Sequence, residues 1–276
     1  MGLVLTLVGC GIGADLARGR SALDRGDLAV AEAAYRSALD RDATSVDALY
    51  GMGWTWHLAG QRDLARGAFQ QLIAVHPESP LGYKGLGSLA LAEGNAEAAR
   101  EQFQKALDRA PGDVAIRHSL GLLALSAGDA EAALASFDAL VEEAPDRTEL
   151  HQARAEALLR LDRSTEALDA STLAVSTATE PRARVMAWLI RARCILAASA
   201  RRVDERDCAG TAPAVYAWLD EADGLLDQAE ATGLQVPGLP ETRRAIQRRR
   251  GAVGDLCPGA RTGTGAGASG RDFPDG

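Results

Sequence analysis

The sequence has few rings. Phe, Trp and Tyr make up only 4% of its 276 residues although 47% are apolar, so small side chains must fill much of any core. Runs of β-branched residues with period two are absent, which argues against a sheet. Positive charge is also short: 38 Asp and Glu face 30 Lys and Arg, a formal net charge of -8. A nucleic-acid partner is thereby excluded, because neutralising phosphates needs a basic face. Arg243, Arg244, Arg248, Arg249 and Arg250 form a local exception. A run that short in an acidic chain reads as a solvated helix face. The histidines, His57, His76, His118 and His151, stand at no zinc-type spacing from each other or from a cysteine, so no metal is expected. There is no Gly-rich phosphate loop and no nucleophile elbow. No cofactor and no catalytic activity are expected, with only the segment around Cys208 left formally open to chemistry.

What is present is a repeat. Gly19, Gly53, Gly87, Gly121 and Ala155 follow one another at 34 residues, and Ala31, Ala65, Ala99, Ala133 and Ala167 keep the same step. So do the rings Tyr35, Phe69, Phe103 and Phe137, a series that ends when Ser171 takes the fifth place. Gly26, Gly60, Gly94 and Gly128 make another ladder, and Pro77, Pro111 and Pro145 another.

Each ladder has a mechanical role in a helical hairpin. Ala favours helix and permits close helix crossing, and the small residue of the first helix does the same on its side. The turn glycine supplies a left-handed residue that ends a helix, and Asp27 or Asp129 after it serves as an N-cap-like residue for the next. Ala65, Phe69 and Leu72 lie at i, i+4 and i+7, an apolar stripe that Ala99, Phe103 and Ala106 repeat. The ring is expected to fill the gap between neighbouring repeats. Proline closes each unit, because it cannot continue a helix.

On these residues the chain resembles the tetratricopeptide-repeat family: 49–77, 83–111 and 117–145 carry the pattern most fully, and the likeness extends over roughly residues 12–180. Ala43 departs from it at the first closing position, and Asp162 and Thr179 depart in the fifth repeat. The resemblance implies an all-α fold, a right-handed α-solenoid of about six helix-turn-helix repeats near 12–45, 46–79, 80–113, 114–147, 148–181 and 185–235. The sixth is interrupted. Trp188, Arg191, Ala192 and Ile195 match its first helix and Ala222, Leu226 and Ala229 its second, but the small-to-Ala spacing is 30 rather than 12, an insertion of 18 at about 197–213. Residues 240–253 read as a polar capping helix, and 254–276 as a Gly-rich disordered tail.

The apolar segment at residues 1–11 contains Leu7-Val8-Gly9-Cys10, which resembles the lipobox of bacterial lipoproteins, with Cys10 as the lipidated residue. The run is short and no Lys or Arg precedes it. A start codon set too far downstream would account for both departures. Two other readings stand beside this one: a helical turn packed on the first repeat, and the bare myristoylation pattern of Gly2 and Thr6. If the chain is exported, Cys194, Cys208 and Cys257 meet an oxidising environment. Cys208 in the insertion and Cys257 past the capping helix are then the pair expected to form a disulfide, both on mobile surface segments. Cys194 reads as a buried small residue. In a cytoplasmic protein all three would stay thiols.

In the family the first helices line a concave groove that usually holds a peptide. The register implies that Tyr50, Trp54 and His57, then Lys84, Ser88 and Leu91, His118, Leu122 and Leu125, and Gln152, Glu156 and Leu159 face it. Some members clamp chaperone carboxylates with Lys, Asn and Arg; here Trp54 and Ser88 stand where Asn is wanted, so that clamp is missing. An apolar or amphipathic segment fits better, with Trp54 and Tyr50 as anchors. The competing reading has Trp54 and, more so, Trp56 packed between helices. The expected role is a protein- or peptide-binding scaffold, anchored in the cell envelope through Cys10 and assisting assembly of a larger complex, in the manner of tetratricopeptide lipoproteins. The alternative is a soluble cytoplasmic adaptor.

Overall fold

The computed structural model describes residues 2–200, 202 and 207–258, with side chains from residue 11 onward. Two compact units divide the chain, Met1–Ala127 and Gly128–Gly276. The described residues form thirteen α-helices and no strand.

The first unit holds α1 (Gly2–Asp24), α2 (Leu28–Arg41), α3 (Val46–Leu58), α4 (Arg62–Val75), α5 (Pro80–Ala92), α6 (Ala96–Arg109) and α7 (Val114–Ser126). Helix starts are capped where a short oxygen side chain is at hand: Ser45, Ser79 and Asp113 accept amide hydrogen bonds ahead of α3, α5 and α7, and Asn95 does so for α6. Asp27 was expected to act likewise. It makes no capping bond and pairs with Arg25 at 3.1 Å. Each first helix stops on the left-handed turn residue, as at Gly60 (φ 75°), where the Gln61 amide reaches back to Trp56 O at 2.8 Å. Second helices end just before the closing turn, in which Pro77 is followed by a Ser79 amide bonded to His76 O at 3.0 Å. Ala43 takes that place in the first repeat, where the equivalent Ser45 amide bond to Asp42 O forms at 3.1 Å and Asp42 Oδ1 ties the turn further, accepting from the Thr44 amide at 2.9 Å and hydroxyl at 2.7 Å.

The core of this unit is a set of rings lodged in glycine notches. A Cβ added at Gly53 of α3 or Gly85 of α5 would collide with the Phe69 ring of α4, and one at Gly19 or Gly51 would collide with Tyr35 of α2. Phe103 fills the same space at Gly87, where a Cβ would stand 2.9 Å from its Cδ1. The small residue of the first helix therefore makes room for a ring, rather than only for a neighbouring helix. Its partner in the next first helix (Gly51 and Gly85, with Ser119 and Ala153 in register) is a further ladder at the 34-residue step. Phe69 and Phe103 are each 1% exposed, and burying one such ring is worth about 1.5–3 kcal/mol.

The second unit holds α8 (Ala130–Glu143), α9 (Thr148–Arg160), α10 (Ser164–Thr177), α11 (Pro181–Ser199), α12 (Cys208–Ala231) and α13 (Leu239–Leu256). Asp129 caps α8 as expected, by accepting from the Ala132 amide at 3.1 Å. After α9 the left-handed turn residue is Asp162 (φ 60°), taking the glycine's conformation without being one. The insertion does not form a loop over its whole length; it extends α11 to 19 residues and α12 to 24, against 13 and 14 in the preceding hairpin. The capping helix runs to Leu256, so residues 254–256, expected in the tail, are helical. Residues 259–276 lie outside the described ones, as do the side chains of residues 1–10.

Expected as a solvated face, the arginines of α13 are in part docked. Arg243 bonds Asp227 at 2.8 Å and Glu230 at 3.3 Å, Arg250 pairs with Asp220 at 2.6 Å and Asp223 at 2.8 Å, and Arg249 donates to Ser199 O at 2.6 Å. For Arg243 and Arg250 the carboxylates of α12 explain this, since several charges within reach of one another form a network rather than isolated pairs. Cys208 and Cys257 are joined in a disulfide, Cα atoms 5.4 Å apart, which links the start of α12 to the residue after α13. Both belong to ordered helix ends rather than to mobile segments.

Candidate functional site

In the first unit α1 packs on α3 and α3 on α5, so the first helices lie side by side. Tyr50, Trp54 and His57 follow one another along α3 at helical spacing and share one of its faces. Trp54 stands edge-on to Tyr50, with ring centroids 6.1 Å apart, and to His57 at 5.3 Å. Its ring centroid lies 6.3 Å from that of Phe69, and the Tyr50 centroid 5.9 Å from the same ring. All three remain half-buried, in contrast to Phe69 beneath them. Trp54 thus combines the two readings offered for it, packed in part on the core and in part open. Trp56 is partly buried against both neighbouring apolar clusters and belongs to the core.

A polar wall adjoins the rings. Lys84 Nζ of α5 lies 3.2 Å from Asp113 Oδ2, and Asp113 also accepts the Ala115 and Ile116 amides at the head of α7. Burial works to raise the Asp113 carboxyl, but the Ile116 amide, the Lys84 ammonium and the Ala115 amide outweigh it and hold the group below its ordinary value. The Tyr50 phenol is pushed up, chiefly by burial, against a hydrogen bond with Trp54 and with a contribution from the Asp113 charge. The Lys84 cation is therefore shared with an internal carboxylate, and the face is aromatic first and charged second. Asp113 was not foreseen at this site, although a short acid five residues before the wall position His118 carries the N-cap signal.

Of the other expected wall residues in this unit, Ser88 and His118 are half-buried, while Leu91 and Leu122 are 43% and 38% exposed. Leu125 is a correction. It is 5% exposed, its apolar surface already removed from water by packing, and so offers nothing to a ligand. In the second unit the α9 residues are engaged internally: Gln152 donates to Ala183 O at 3.1 Å, and Glu156 pairs with Arg160 at 3.3 Å and Arg193 at 2.7 Å. Leu159 beside them is half-buried.

The remaining candidates have structural settings. His76 Nε2 donates to Thr44 O at 2.7 Å and His151 Nε2 to Pro145 O at 2.6 Å, bracing turns. No group of three His, Cys, Asp or Glu among the described residues is placed to hold a metal. Cys194 is buried, and its thiol is pushed up to about 12 chiefly by burial, which leaves it without nucleophilic thiolate. Cys208, the residue around which chemistry was left open, carries no thiol because it is bonded to Cys257. Cys10 has its side chain outside the described residues. No helix among the described residues is long and apolar enough to cross a membrane.

Comparison with known proteins bears on the fold. Two models of the tetratricopeptide repeat match the chain, one at residues 16–66 and 59–114 and another at 90–157, and together they span just over half of it. No curated protein matches in sequence. Among solved structures, PilF of Pseudomonas aeruginosa is similar with a TM-score of 0.66 at 16% identity, over 87% of this chain and 98% of its own. A tetratricopeptide repeat protein of Parabacteroides merdae gives 0.62 at 17% identity, over 86% and 84% of the two chains. A thermophilic protein of this kind from Thermus thermophilus gives 0.58 at 23%, over 65% and 98%. At such identities the likeness is one of fold alone.

Proposed function

Because the chain belongs to the tetratricopeptide-repeat family, whose fold supports scaffolds for protein–protein contact, we propose that it holds a peptide segment of a protein partner on the Tyr50–Trp54–His57 face. The observation that carries this reading is the contrast between rings. Tyr35, Phe69 and Phe103 are shut into glycine notches, whereas the α3 rings rest on that core and keep part of their surface open. Rigid aromatics with one packed edge are suited to anchor an apolar side chain, since little conformational freedom is lost on binding. In this reading the scaffold acts by binding. Replacing Trp54 by Ala should weaken partner capture by more than about 1 kcal/mol with helicity nearly unchanged. Equal recovery of the partner in a pull-down with the variant would move the site elsewhere.

The scaffold works in the cell envelope in this reading, tethered through an acylated Cys10 and assisting assembly of a larger complex. The Leu7-Val8-Gly9-Cys10 pattern supports the tether, and the Cys208–Cys257 disulfide supports an oxidising compartment. Mass spectrometry of the protein from its native membranes tests the tether directly. An acylated Cys10 is expected; an intact, unmodified N-terminal segment with thiols at Cys208 and Cys257 would favour the cytoplasmic adaptor instead.

A further inference from the structure

The sixth hairpin departs most from the repeat, and its extra length is built with care. Where the insertion prolongs α11 and α12, one side is braced: Cys208 is bonded to Cys257, Arg249 holds Ser199 O, and Ala212, Val215 and Val253 are buried. Another side is left open. Pro213, Ala214 and Ala217 are exposed there, and a cavity of about 190 Å³ is lined by Arg202, Gly210, Thr211, Ala214, Val215 and Trp218. The Arg202 guanidinium lies over the Trp218 ring, 4.7 Å from its centroid. Arg191, Arg193 and Arg250 each have a carboxylate partner, but Arg202 meets none among the described residues.

We propose that this cavity is a second peptide site, one that takes an acidic segment of a protein partner bearing a single bulky apolar side chain. The apolar group enters against Trp218 and Val215, and a neighbouring carboxylate pairs with Arg202. Size limits the occupant: the space is smaller than the 300 Å³ or so of the smallest ordinary ligand pockets, which suits one side chain and not a helix. Charge chooses its neighbour, because a guanidinium fork matches a carboxylate through two parallel hydrogen bonds while its plane stays stacked on the indole. The bridge and the α13 contacts keep the walls in place before binding, so little ordering is needed when the segment arrives. The site is independent of the α3 rings and stands or falls without them.

The test uses the full chain and a fluorescein-labelled peptide, Gly-Ser-Asp-Phe-Asp-Ser-Gly, followed by fluorescence anisotropy beside the same peptide with Asn in place of both Asp. Saturable binding of the acidic peptide is expected, weakened at least tenfold by Arg202→Gln, by Trp218→Ala and by the Asn exchange, and unaffected by Trp54→Ala. Arg202 is exposed, so Arg202→Gln remains informative even if circular dichroism shows that Trp218→Ala disturbs the fold. Absence of binding, or binding indifferent to Arg202→Gln, overturns the proposal. Sensitivity to Trp54→Ala overturns it as well, by assigning the peptide to the first unit. Binding that appears only after deletion of residues 259–276 would make the chain's own end the occupant, and would overturn the claim of a partner.

Discussion

The hairpins of the first unit and the last helices of the second solve the same problem, holding one helix layer on the next, by different means. In the first unit the means is shape: Tyr35, Phe69 and Phe103 each occupy a notch that exists only because glycine stands opposite. Between α12 and α13 it is mainly charge and a covalent bond, with Arg243 and Arg250 on acidic residues of α12 and Cys257 on Cys208. Ile246 and Val253 are buried there too, and Tyr216 of α12 reaches Gly254 of α13 only with its hydroxyl, at ordinary contact distance rather than in a notch. Shape works where another copy of the same notch follows in register. α13 stands outside the 34-residue register, and ion pairs and the bridge hold it instead.

The sharpest way to break this comparison is to remove a ring. Phe69→Ala should lower stability by about 3–5 kcal/mol, since the cavity lies between two helices that cannot both collapse into it. Urea denaturation followed by circular dichroism reads this, and a loss below about 1 kcal/mol would mean that the notches are incidental. On the other side, Cys257→Ser should cost about 2–4 kcal/mol, the bridge closing a loop with a sequence separation of 49. Thermal melting with and without dithiothreitol checks it: the parent should lose stability on reduction and the variant should not respond. The smallest effect is expected at the turn after α9. Asp162→Gly should raise stability by about 0.5 kcal/mol, the relief of a left-handed non-glycine residue exceeding the glycine's added freedom in the unfolded chain. A fall in melting temperature would show that the aspartate side chain contributes more than its backbone strain removes.

Legibility followed the same division. The register of α3 to α10 could be read because one mechanical task recurs every 34 residues, and recurrence turns weak local signals into a ladder. The second set of notches, Gly51 and Gly85, was present in that register too but has meaning only once a ring is seen to touch two first helices. The inner-wall residues were placed by spacing, which fixes the side of the helix a residue lies on but not how deeply it sinks. Leu122 and Leu125 illustrate the gap, since both satisfy the spacing and only the former keeps exposed area. The α13 arginines were misjudged for a related reason. Composition says that a run is charged, and the carboxylates that meet it come from a helix more than ten residues away.

By itself the sequence determined the all-helical repeat, the places where helices stop, and the identity of the rings that hold successive hairpins. These depend on local backbone preferences and on a period, both of which are written along the chain. Tertiary structure alone decided which aromatic is core and which is open, how the insertion divides between α11 and α12, and which arginines find partners. Those outcomes depend on distances between residues far apart in sequence, and no local preference carries them.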